Sequence, residues 1–115
     1  MTDAPVDQLL FSYGDLQQPD VQLDIFGRLV HGDVDWLPGY TVDYVEIEDP
    51  RGTDVSGLSV KPVVRATGNR LDRVPGRVLH LTEEEVEAVD EYQVELYRRE
   101  RVMLSSGHAA WVYVP

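Results

Sequence analysis

Hydrophobic residues fall into several short runs that are separated by glycine, proline and acidic residues. Short apolar or alternating runs with turn-forming residues at their ends are typical of β-strands. The pattern predicts four strands and a final hairpin, at residues 8–13, 40–47, 58–64 and 74–81, with the hairpin arms at 97–104 and 108–114. The hairpin is expected to close a sheet, because Ser105-Ser106-Gly107 supplies a turn between its two arms.

Two segments carry helix signals. Residues 20–26 are predicted to form a short helix that ends at Gly27. A second helix is predicted to begin at Glu83, because Thr82 is a good N-cap and Glu85 completes a capping box. Strands outnumber helices and do not alternate with them regularly. The pattern therefore predicts an α+β fold, a small mixed β-barrel with one or two packed helices.

The connections are predicted from glycine, proline and polar residues. Residues 36–40 are interpreted as a turn, and residues 48–58 as a mobile loop with little apolar surface to bury. Pro62 suits an edge strand, since proline has no N–H to donate to a neighbouring strand. Gly76 marks either a bulge or a place where another backbone approaches closely.

Length and composition indicate one globular domain over residues 1–115, of which residues 1–7 are expected to be flexible. Hydrophobic residues make up 43% of the chain and charged residues 27%, which is typical of a soluble protein. Ten basic and 21 acidic residues give a net charge of -11. That charge repels nucleic-acid phosphates and anionic membrane surfaces, so neither is an expected partner.

The chain has no cysteine, which excludes disulfides, a thiolate nucleophile and a cysteine-based zinc site. Its first residues are acidic, and no run of about eighteen apolar residues occurs, so a cytoplasmic location is expected. His31, His80 and His108 lack the sequence spacing of a metal cluster. They are interpreted as surface or core residues, and no metal is expected.

Two places are candidates for a binding site. The first is the turn Tyr13-Gly14-Asp15-Leu16, because a strand that ends in a glycine turn leaves backbone N–H groups that can hold a carboxylate or phosphate. The second is Gln93, which shares a helical stripe with Val86 and Val89 and is expected to point inward. A glutamine there either ends the helix and bonds a nearby backbone group or contributes to a site.

Four short motifs are distributed over residues 8–114. They are Tyr13-Gly14-Asp15-Leu16, Leu37-Pro38-Gly39-Tyr40, Val74-Pro75-Gly76-Arg77-Val78, and Val89-Asp90-Glu91-Tyr92-Gln93 with Tyr97-Arg98-Arg99. In this order they resemble the gamma-glutamylcyclotransferase superfamily, which carries Tyr-Gly-x-Leu, Val-x-Gly-x-Val and Leu-Asp-x-aromatic-Glu followed by Tyr-x-Arg. The resemblance implies a small mixed barrel, a small-molecule gamma-glutamyl substrate and no metal or organic cofactor.

The resemblance also implies a reaction and roles for individual residues. In the family, the glycine loop holds the substrate carboxylate, and a glutamate moves protons while the α-amino group attacks its own side-chain amide. The products are 5-oxoproline and a free amine. Tyr13, Gly14, Asp15 and Leu16 would then bind the substrate. By the same resemblance Tyr97 would orient the acid or the substrate, and Arg99 would bind the substrate or pair with surface acids such as Glu100.

The chain departs from the family at the position of the catalytic glutamate, where it has Gln93. A neutral amide cannot shuttle a proton, so the chain is expected to be inactive as written. Natural loss of the reaction, use of another acid and an engineered replacement all explain the difference. Glu91 and Glu95 lie about 200° around a helix from Gln93 and so face away from it. Asp15 is the other candidate acid, although an aspartate in a turn is usually solvated.

Two further functions stay open. The chain is either a non-catalytic small-molecule binding or sensor protein that uses the same carboxylate cradle, or a related lyase or amide-processing enzyme with a non-glutamyl substrate. Product analysis after a Gln93→Glu replacement separates these from the parent reaction.

Overall fold

Seven strands and two α-helices are defined in residues 4–48, 58–93 and 96–115, the parts of the chain that the computed structural model describes. In chain order they are β1 (Gln8–Ser12), α1 (Pro19–Phe26), β2 (Gly32–Pro38), β3 (Tyr40–Glu48), β4 (Leu58–Ala66), β5 (Arg73–Leu81), α2 (Glu83–Tyr92), β6 (Arg98–Met103) and β7 (Ala109–Val114). Neither helix is long and apolar enough to cross a bilayer.

Five strands form the main sheet, in the order β2-β5-β1-β7-β6, and β3 and β4 form a separate two-stranded ribbon. In the main sheet β1 pairs antiparallel with β5 and parallel with β7, where Leu10 lies opposite Trp111. The hairpin predicted from the last part of the sequence is confirmed as β6 and β7. The first and last parts of the chain therefore lie side by side at the centre of the sheet.

The main sheet separates two hydrophobic cores, because neighbouring residues of a strand point to opposite faces. In β1, Leu10 packs against the helices, whereas Phe11 packs against the ribbon. Val86 and Val89 of α2 belong to the helix-side core, and Val64 of β4 belongs to the ribbon-side core. Burial of each such side chain contributes about 1.5–3 kcal/mol to folding. The fold therefore has three layers: the helices, the main sheet and the ribbon.

Both predicted helices are confirmed, and so are their signals. In α2, the Thr82 hydroxyl accepts the backbone N–H of Glu85 at 3.1 Å, and the Glu85 carboxylate accepts the backbone N–H of Thr82 at 2.9 Å. In α1, the C-cap is Gly27, whose φ of 70° is the left-handed conformation that favours glycine. The second helix ends at Tyr92, so Gln93 is its C-cap residue and not part of its last turn.

The α+β class with two packed helices is confirmed, but the described strands do not close into one barrel. The ribbon contacts the main sheet through side chains, such as Val42 and Val64 in the ribbon-side core. Pro62 lies in the ribbon, where it has no N–H to offer a further strand, as expected for an edge position. The ribbon and the main sheet are therefore held together by side-chain packing and not by a continuous ladder of hydrogen bonds.

One strand was not predicted. Residues 36–40 were interpreted as a turn, yet Trp36 and Leu37 lie within β2 and pair with β5. Only Gly39, with a φ of 81°, makes the turn into β3. Aspartates at positions 33 and 35 disfavour a strand by propensity, but Asp35 is buried and its carboxylate accepts N–H and O–H groups of Ser106. Tertiary hydrogen bonds therefore override the local preference.

Two sequence predictions fall partly outside the described residues. Residues 1–3 of the predicted flexible start are among them, and so are residues 49–57 of the predicted loop at 48–58.

Candidate functional site

A cavity of about 160 Å³ lies where the end of β1, the ribbon, the end of α2 and β7 meet. Five segments of the chain contribute its lining, which consists of Phe11, Ser12, Tyr13, Gly14, Asp15, Leu16, Val60, Lys61, Pro62, Tyr92, Gln93, Tyr97 and Tyr113. The cavity therefore brings the amino-terminal glycine turn and position 93 together, as the sequence analysis expected.

The glycine turn is held in place by its own hydrogen bonds and by α1. Leu16 is buried, and its backbone carbonyl accepts the side-chain amide N–H of Gln22 at 2.9 Å. The other end of that buried amide accepts the backbone N–H of Val30 at 3.1 Å. Gln17 adds a side-chain N–H to the carbonyl of Gly14 at 3.1 Å. These bonds fix the backbone of the turn beside the cavity. No motif in the sequence indicates that Gln22 supports the turn.

Gly76 fixes the position of β1, from which the turn leaves. A Cβ at this position would meet the carbonyl oxygen of Ser12 and lie 2.7 Å from the Phe11 ring. Glycine is therefore required for a steric reason, since its φ is not in the left-handed region. The predicted close approach of another backbone at Gly76 is confirmed.

Four tyrosines line the cavity, and three of them, Tyr13, Tyr97 and Tyr113, donate hydrogen bonds to groups outside the glycine turn. Tyr13 donates its hydroxyl to the carbonyl of Tyr113 at 2.7 Å, and Tyr97 donates to the carbonyl of Pro62 at 2.5 Å. The Tyr113 hydroxyl donates to Asp90 at 2.6 Å. Neutral phenols of this kind donate hydrogen bonds and do not act as bases at neutral pH.

The environment of each phenol keeps it protonated. Burial raises the pKa of Tyr13, and the neighbouring Tyr97 raises it further. Burial and the Asp15 carboxylate together raise the pKa of Tyr97 to about 12. Burial, followed by the contact with Asp90, raises the pKa of Tyr113 above its ordinary range. All three phenols therefore stay protonated over the whole physiological pH range and keep these hydrogen bonds.

Asp15 places a carboxylate in the lining. One of its oxygens accepts the hydroxyl of Tyr92 at 3.0 Å, and Tyr92 is the last residue of α2. Lys61 of the ribbon contributes a cationic side chain to the same lining. The cavity thus contains both signs of charge, although the chain as a whole is strongly acidic.

Gln93 lies at the junction between α2 and the cavity. Its backbone N–H donates to the carbonyl of Val89 at 2.9 Å and closes the helix, and its backbone beyond that bond is extended. Its side chain is half-buried. Gln93 therefore ends the helix and also lines the cavity. The two alternatives that the sequence left open are compatible.

Arg99 lies behind the cavity and is not part of its lining. Its guanidinium pairs with Asp90 at 2.7 Å and stacks over the ring of Trp111 at 4.5 Å. Because Asp90 also accepts the hydroxyl of Tyr113, Arg99 supports a residue of the lining instead of facing a ligand there. Glu91 is exposed on α2 and does not line the cavity, and Glu95 lies outside the described residues.

Ribbon residues and two tyrosines were missed as site residues. Val60, Lys61 and Pro62 reach the cavity from β4, and Tyr113 reaches it from β7. Their contribution depends on how the ribbon packs on the sheet, which periodicity along the chain does not show. Tyr92 had a signal, since it occupies the aromatic position of the motif that ends at Gln93.

Two of the three histidines lie next to each other, although their spacing along the sequence does not predict a cluster. His31 and His80 both contact the carboxylate of Asp33. The contact arises from pairing between β2 and β5, which sequence spacing alone does not reveal.

Comparisons with known proteins place this geometry in a family. Residues 10–115 match the model of the family described as "Gamma-glutamyl cyclotransferase, AIG2-like". A search of curated proteins gave no match.

Three solved structures share the fold. The solution structure of At5g39720.1 from Arabidopsis thaliana has a TM-score of 0.70 and 22% identity, over 93% of this chain and 67% of that one. The solution structure of At3g28950.1 from the same plant has a TM-score of 0.68 and 19% identity, over 99% and 66%. The crystal structure of the uncharacterized protein PH0828 from Pyrococcus horikoshii has a TM-score of 0.59 and 20% identity, over 94% and 77%. This chain therefore spans about two thirds of each plant protein. Since the family match covers nearly the whole sequence, the chain belongs to the gamma-glutamyl cyclotransferase, AIG2-like family.

Proposed function

We propose that the cavity binds a gamma-glutamyl compound and that the parent reaction at this site is its cyclisation to 5-oxoproline with release of an amine. The observation that carries the proposal is the convergence of the Tyr13–Leu16 turn and Gln93 on one cavity. The family match supports the same reaction class. The reaction moves protons and exchanges one C–N bond for another, so it needs neither a redox cofactor nor a metal.

The size of the cavity suits one glutamyl group. A cavity of about 150 Å³ accepts a benzene-sized molecule, and the present cavity measures about 160 Å³. The glutamyl portion of a substrate would fill this volume, and the amine portion would extend towards the opening. Selectivity for the glutamyl part is therefore expected to exceed selectivity for the released amine.

The charges in the lining suggest how the glutamyl group is oriented. Backbone N–H groups of a glycine turn favour an anion, so the substrate carboxylate would lie against the turn. Asp15 would repel that carboxylate but attract the α-ammonium group. The Tyr97 phenol lines the same cavity, and because its proton is donated to Pro62, its oxygen can accept a hydrogen bond from the ammonium group. In this orientation the α-nitrogen would lie on the side of the cavity that Asp15 and Gln93 line.

The reaction requires an acid–base group at the α-nitrogen. That nitrogen loses a proton and attacks the γ-carbonyl carbon, the bond from this carbon to the departing amine breaks, and the amine gains a proton. A carboxylate can carry the proton between the two nitrogens, whereas a neutral amide can only hold a hydrogen bond. Gln93 would therefore orient the substrate but leave the proton without a carrier.

Asp15 is the residue that offers a carboxylate in the same cavity. Glu91 does not line the cavity, so among the alternative acids described in the structure Asp15 has the better position. Its carboxylate is held by the Tyr92 hydroxyl at 3.0 Å, which leaves the other carboxylate oxygen for a substrate ammonium.

The experiment compares the chain with Gln93 and its Gln93→Glu variant on a panel of gamma-glutamyl amides, with 5-oxoproline measured by mass spectrometry. General acid–base catalysis contributes typically about 10²–10⁴-fold, and we expect Gln93→Glu to gain a rate of that order. Glu91→Gln in the Gln93→Glu background is the control and should keep the gain. Asp15→Asn in the same background should lower it, because the ammonium loses its partner.

The other outcomes are equally informative. If the chain with Gln93 is active and its Asp15→Asn variant forms no 5-oxoproline, Asp15 is identified as the acid–base group. A folded Gln93→Glu protein that forms no 5-oxoproline from any compound in the panel contradicts the proposed reaction.

A non-catalytic binding function is the second candidate, and the neutral amide of Gln93 favours it. In that case calorimetry should detect binding of a gamma-glutamyl amide by the natural chain, and Gln93→Glu should not release product. Binding without turnover in both proteins would assign the cavity to recognition alone.

A further inference from the structure

His31, Asp33 and His80 form a cluster on one face of the β2–β5 pair. Gly32 lies opposite Leu79, and the backbone N–H of His80 donates to the carbonyl of His31 at 3.0 Å, so the two histidines are cross-strand neighbours. His31 and Asp33 are two positions apart on extended chain and therefore share a face. The strand register, not the side chains themselves, brings the three groups together.

The side chains of the cluster point at one another. The Nε2 atom of His31 lies 3.0 Å from Oδ1 of Asp33, and the Nε2 atom of His80 lies 2.8 Å from Oδ2 of the same residue. One candidate ligand atom from each residue lies within 4.8 Å of those of the other two. The two imidazole rings are 4.9 Å apart between centroids and inclined by 48°.

We propose that His31, Asp33 and His80 bind a divalent transition-metal ion, with Zn²⁺ as the ion that the ligand set fits. Zinc in proteins takes imidazole nitrogen and carboxylate oxygen at about 2.0–2.2 Å. Two imidazoles with one carboxylate favour zinc and its neighbours over magnesium or calcium, which require oxygen ligands. Three protein ligands leave at least one coordination position for water or another ligand.

The observed separations are close to those of a coordinated ion. Two ligands about 2.1 Å from a tetrahedral zinc ion lie about 3.4 Å from each other. The two nitrogen–oxygen distances, 3.0 and 2.8 Å, end on different oxygens of Asp33, and with one ligand atom per residue the three atoms lie within 4.8 Å of one another. Modest side-chain rotations therefore bring them to coordination distance, and the side chains of His31 and Asp33, which are 70% and 58% exposed, have room for such rotations. A shift of the imidazole proton to Nδ1 frees each Nε2 lone pair for the metal.

The alternative is that the cluster only holds its own hydrogen bonds. Exposed ion pairs typically contribute about 0–1 kcal/mol, so such a role gives little reason for two histidines on one carboxylate. The cluster is also separate from the cavity, since none of its residues belongs to the lining. Metal binding here is therefore independent of the proposed cyclisation.

The test is a Zn²⁺ titration of the tag-free chain in competition with a chromophoric chelator. We expect one ion to bind per chain, and the melting temperature to rise with Zn²⁺ because the site is formed only in the folded state. Loss of an outer-shell partner costs about 10–100-fold in metal affinity, and loss of a direct ligand in His31→Asn or His80→Asn should cost more.

His108→Asn is the matched control. His108 is exposed in the hairpin between β6 and β7, where its ring contacts Ser106, and its replacement should leave the affinity unchanged. Histidine ¹H–¹⁵N spectra of the unsubstituted chain provide a measurement that needs no variant. Addition of Zn²⁺ should shift the Nε2 signals of His31 and His80 but not the signals of His108. Two results overturn the proposal and leave a hydrogen-bonded cluster only. One is that the unsubstituted chain does not bind Zn²⁺, and the other is that His31→Asn and His80→Asn bind Zn²⁺ as tightly as the unsubstituted chain does.

Discussion

Tyr13 donates its hydroxyl to the backbone carbonyl of Tyr113 at 2.7 Å, although the two residues are 100 positions apart in the sequence. Tyr113 in turn donates its own hydroxyl to Asp90 of α2 at 2.6 Å. The glycine turn, the last strand and the helix that carries Gln93 at its end are thus joined through two phenols. The shape of the cavity depends on these bonds as much as on the hydrophobic cores.

Removal of the Tyr13 hydroxyl should weaken this connection. A hydrogen bond of this type contributes about 0.5–1.5 kcal/mol, so Tyr13→Phe should lower the free energy of unfolding by that amount. Tyr44→Phe is the control, because Tyr44 is 70% exposed. Urea unfolding of both variants checks the prediction. Equal stability of the two variants would show that the Tyr13 bond adds nothing.

Replacement of Gly76 should disturb the cavity from behind. In Gly76→Ala the new methyl group meets the Ser12 carbonyl and the Phe11 ring, so β1 must move away from β5. Overpacking of this kind costs about 1–3 kcal/mol. Gly32→Ala is the milder comparison, since the atom nearest to a Cβ there is a side-chain carbon of Leu79 at 3.2 Å and not a backbone atom. Thermal unfolding and ligand binding should both change in Gly76→Ala and change little in Gly32→Ala.

Acid should destabilise the start of α2. Burial alone would raise the pKa of Glu85, but its hydrogen bonds with Arg28 and Thr82 outweigh burial and lower it below 4.5. A lowered carboxyl pKa stabilises the folded state above the unfolded pKa, and this contribution is lost as the pH falls through the folded value. The free energy of unfolding should therefore decrease between about pH 5 and about pH 3.

Variants at Arg28 and Glu85 identify the source of that decrease. Glu85→Gln should make the decrease shallower, and so should Arg28→Ala, because the two side chains form paired hydrogen bonds at 2.8 and 2.9 Å. Glu87→Gln, on the same helix but exposed, serves as the control. A slope that is the same in all four proteins would mean that other carboxyl groups dominate the acid response.

Alkaline pH should expose the environment of Tyr97. Its pKa of about 12 lies above that of an exposed tyrosine, so the unfolded state ionises first as the pH rises. The contribution of Tyr97 to the free energy of unfolding should therefore be constant up to about pH 10 and decrease above it. In Tyr97→Phe the decrease above that pH should be smaller. Absorbance titration of phenolate in the original chain and in Tyr97→Phe provides the direct check, since the difference between the two curves should lie near pH 12.

Local signals in the sequence were sufficient for most elements of the fold. The capping box at Thr82 and Glu85 and the left-handed Gly27 act within a few residues, and both helices were predicted correctly. The strand at Gly32–Pro38 was missed because its aspartates are stabilised by partners far away in the chain, such as Ser106.

The candidate site was predictable only as far as its motifs reach. The glycine turn and Gln93 lie in motifs and line the cavity together. Val60, Lys61 and Pro62 carry no motif, and they enter the cavity because the ribbon packs on the sheet. The histidine cluster was missed for a related reason, since the distance of His31 from His80 along the chain gives no sign of their strand pairing.

The ribbon forms one wall of the cavity. Val60 to Pro62 border the cavity from a sheet that shares no backbone ladder with the strand carrying the glycine turn. Mutations in that wall can therefore accumulate without shifting the register of the main sheet. Substitutions at Val60 and Lys61, whether by evolution or in the laboratory, can therefore change what the cavity accepts and leave the glycine turn intact.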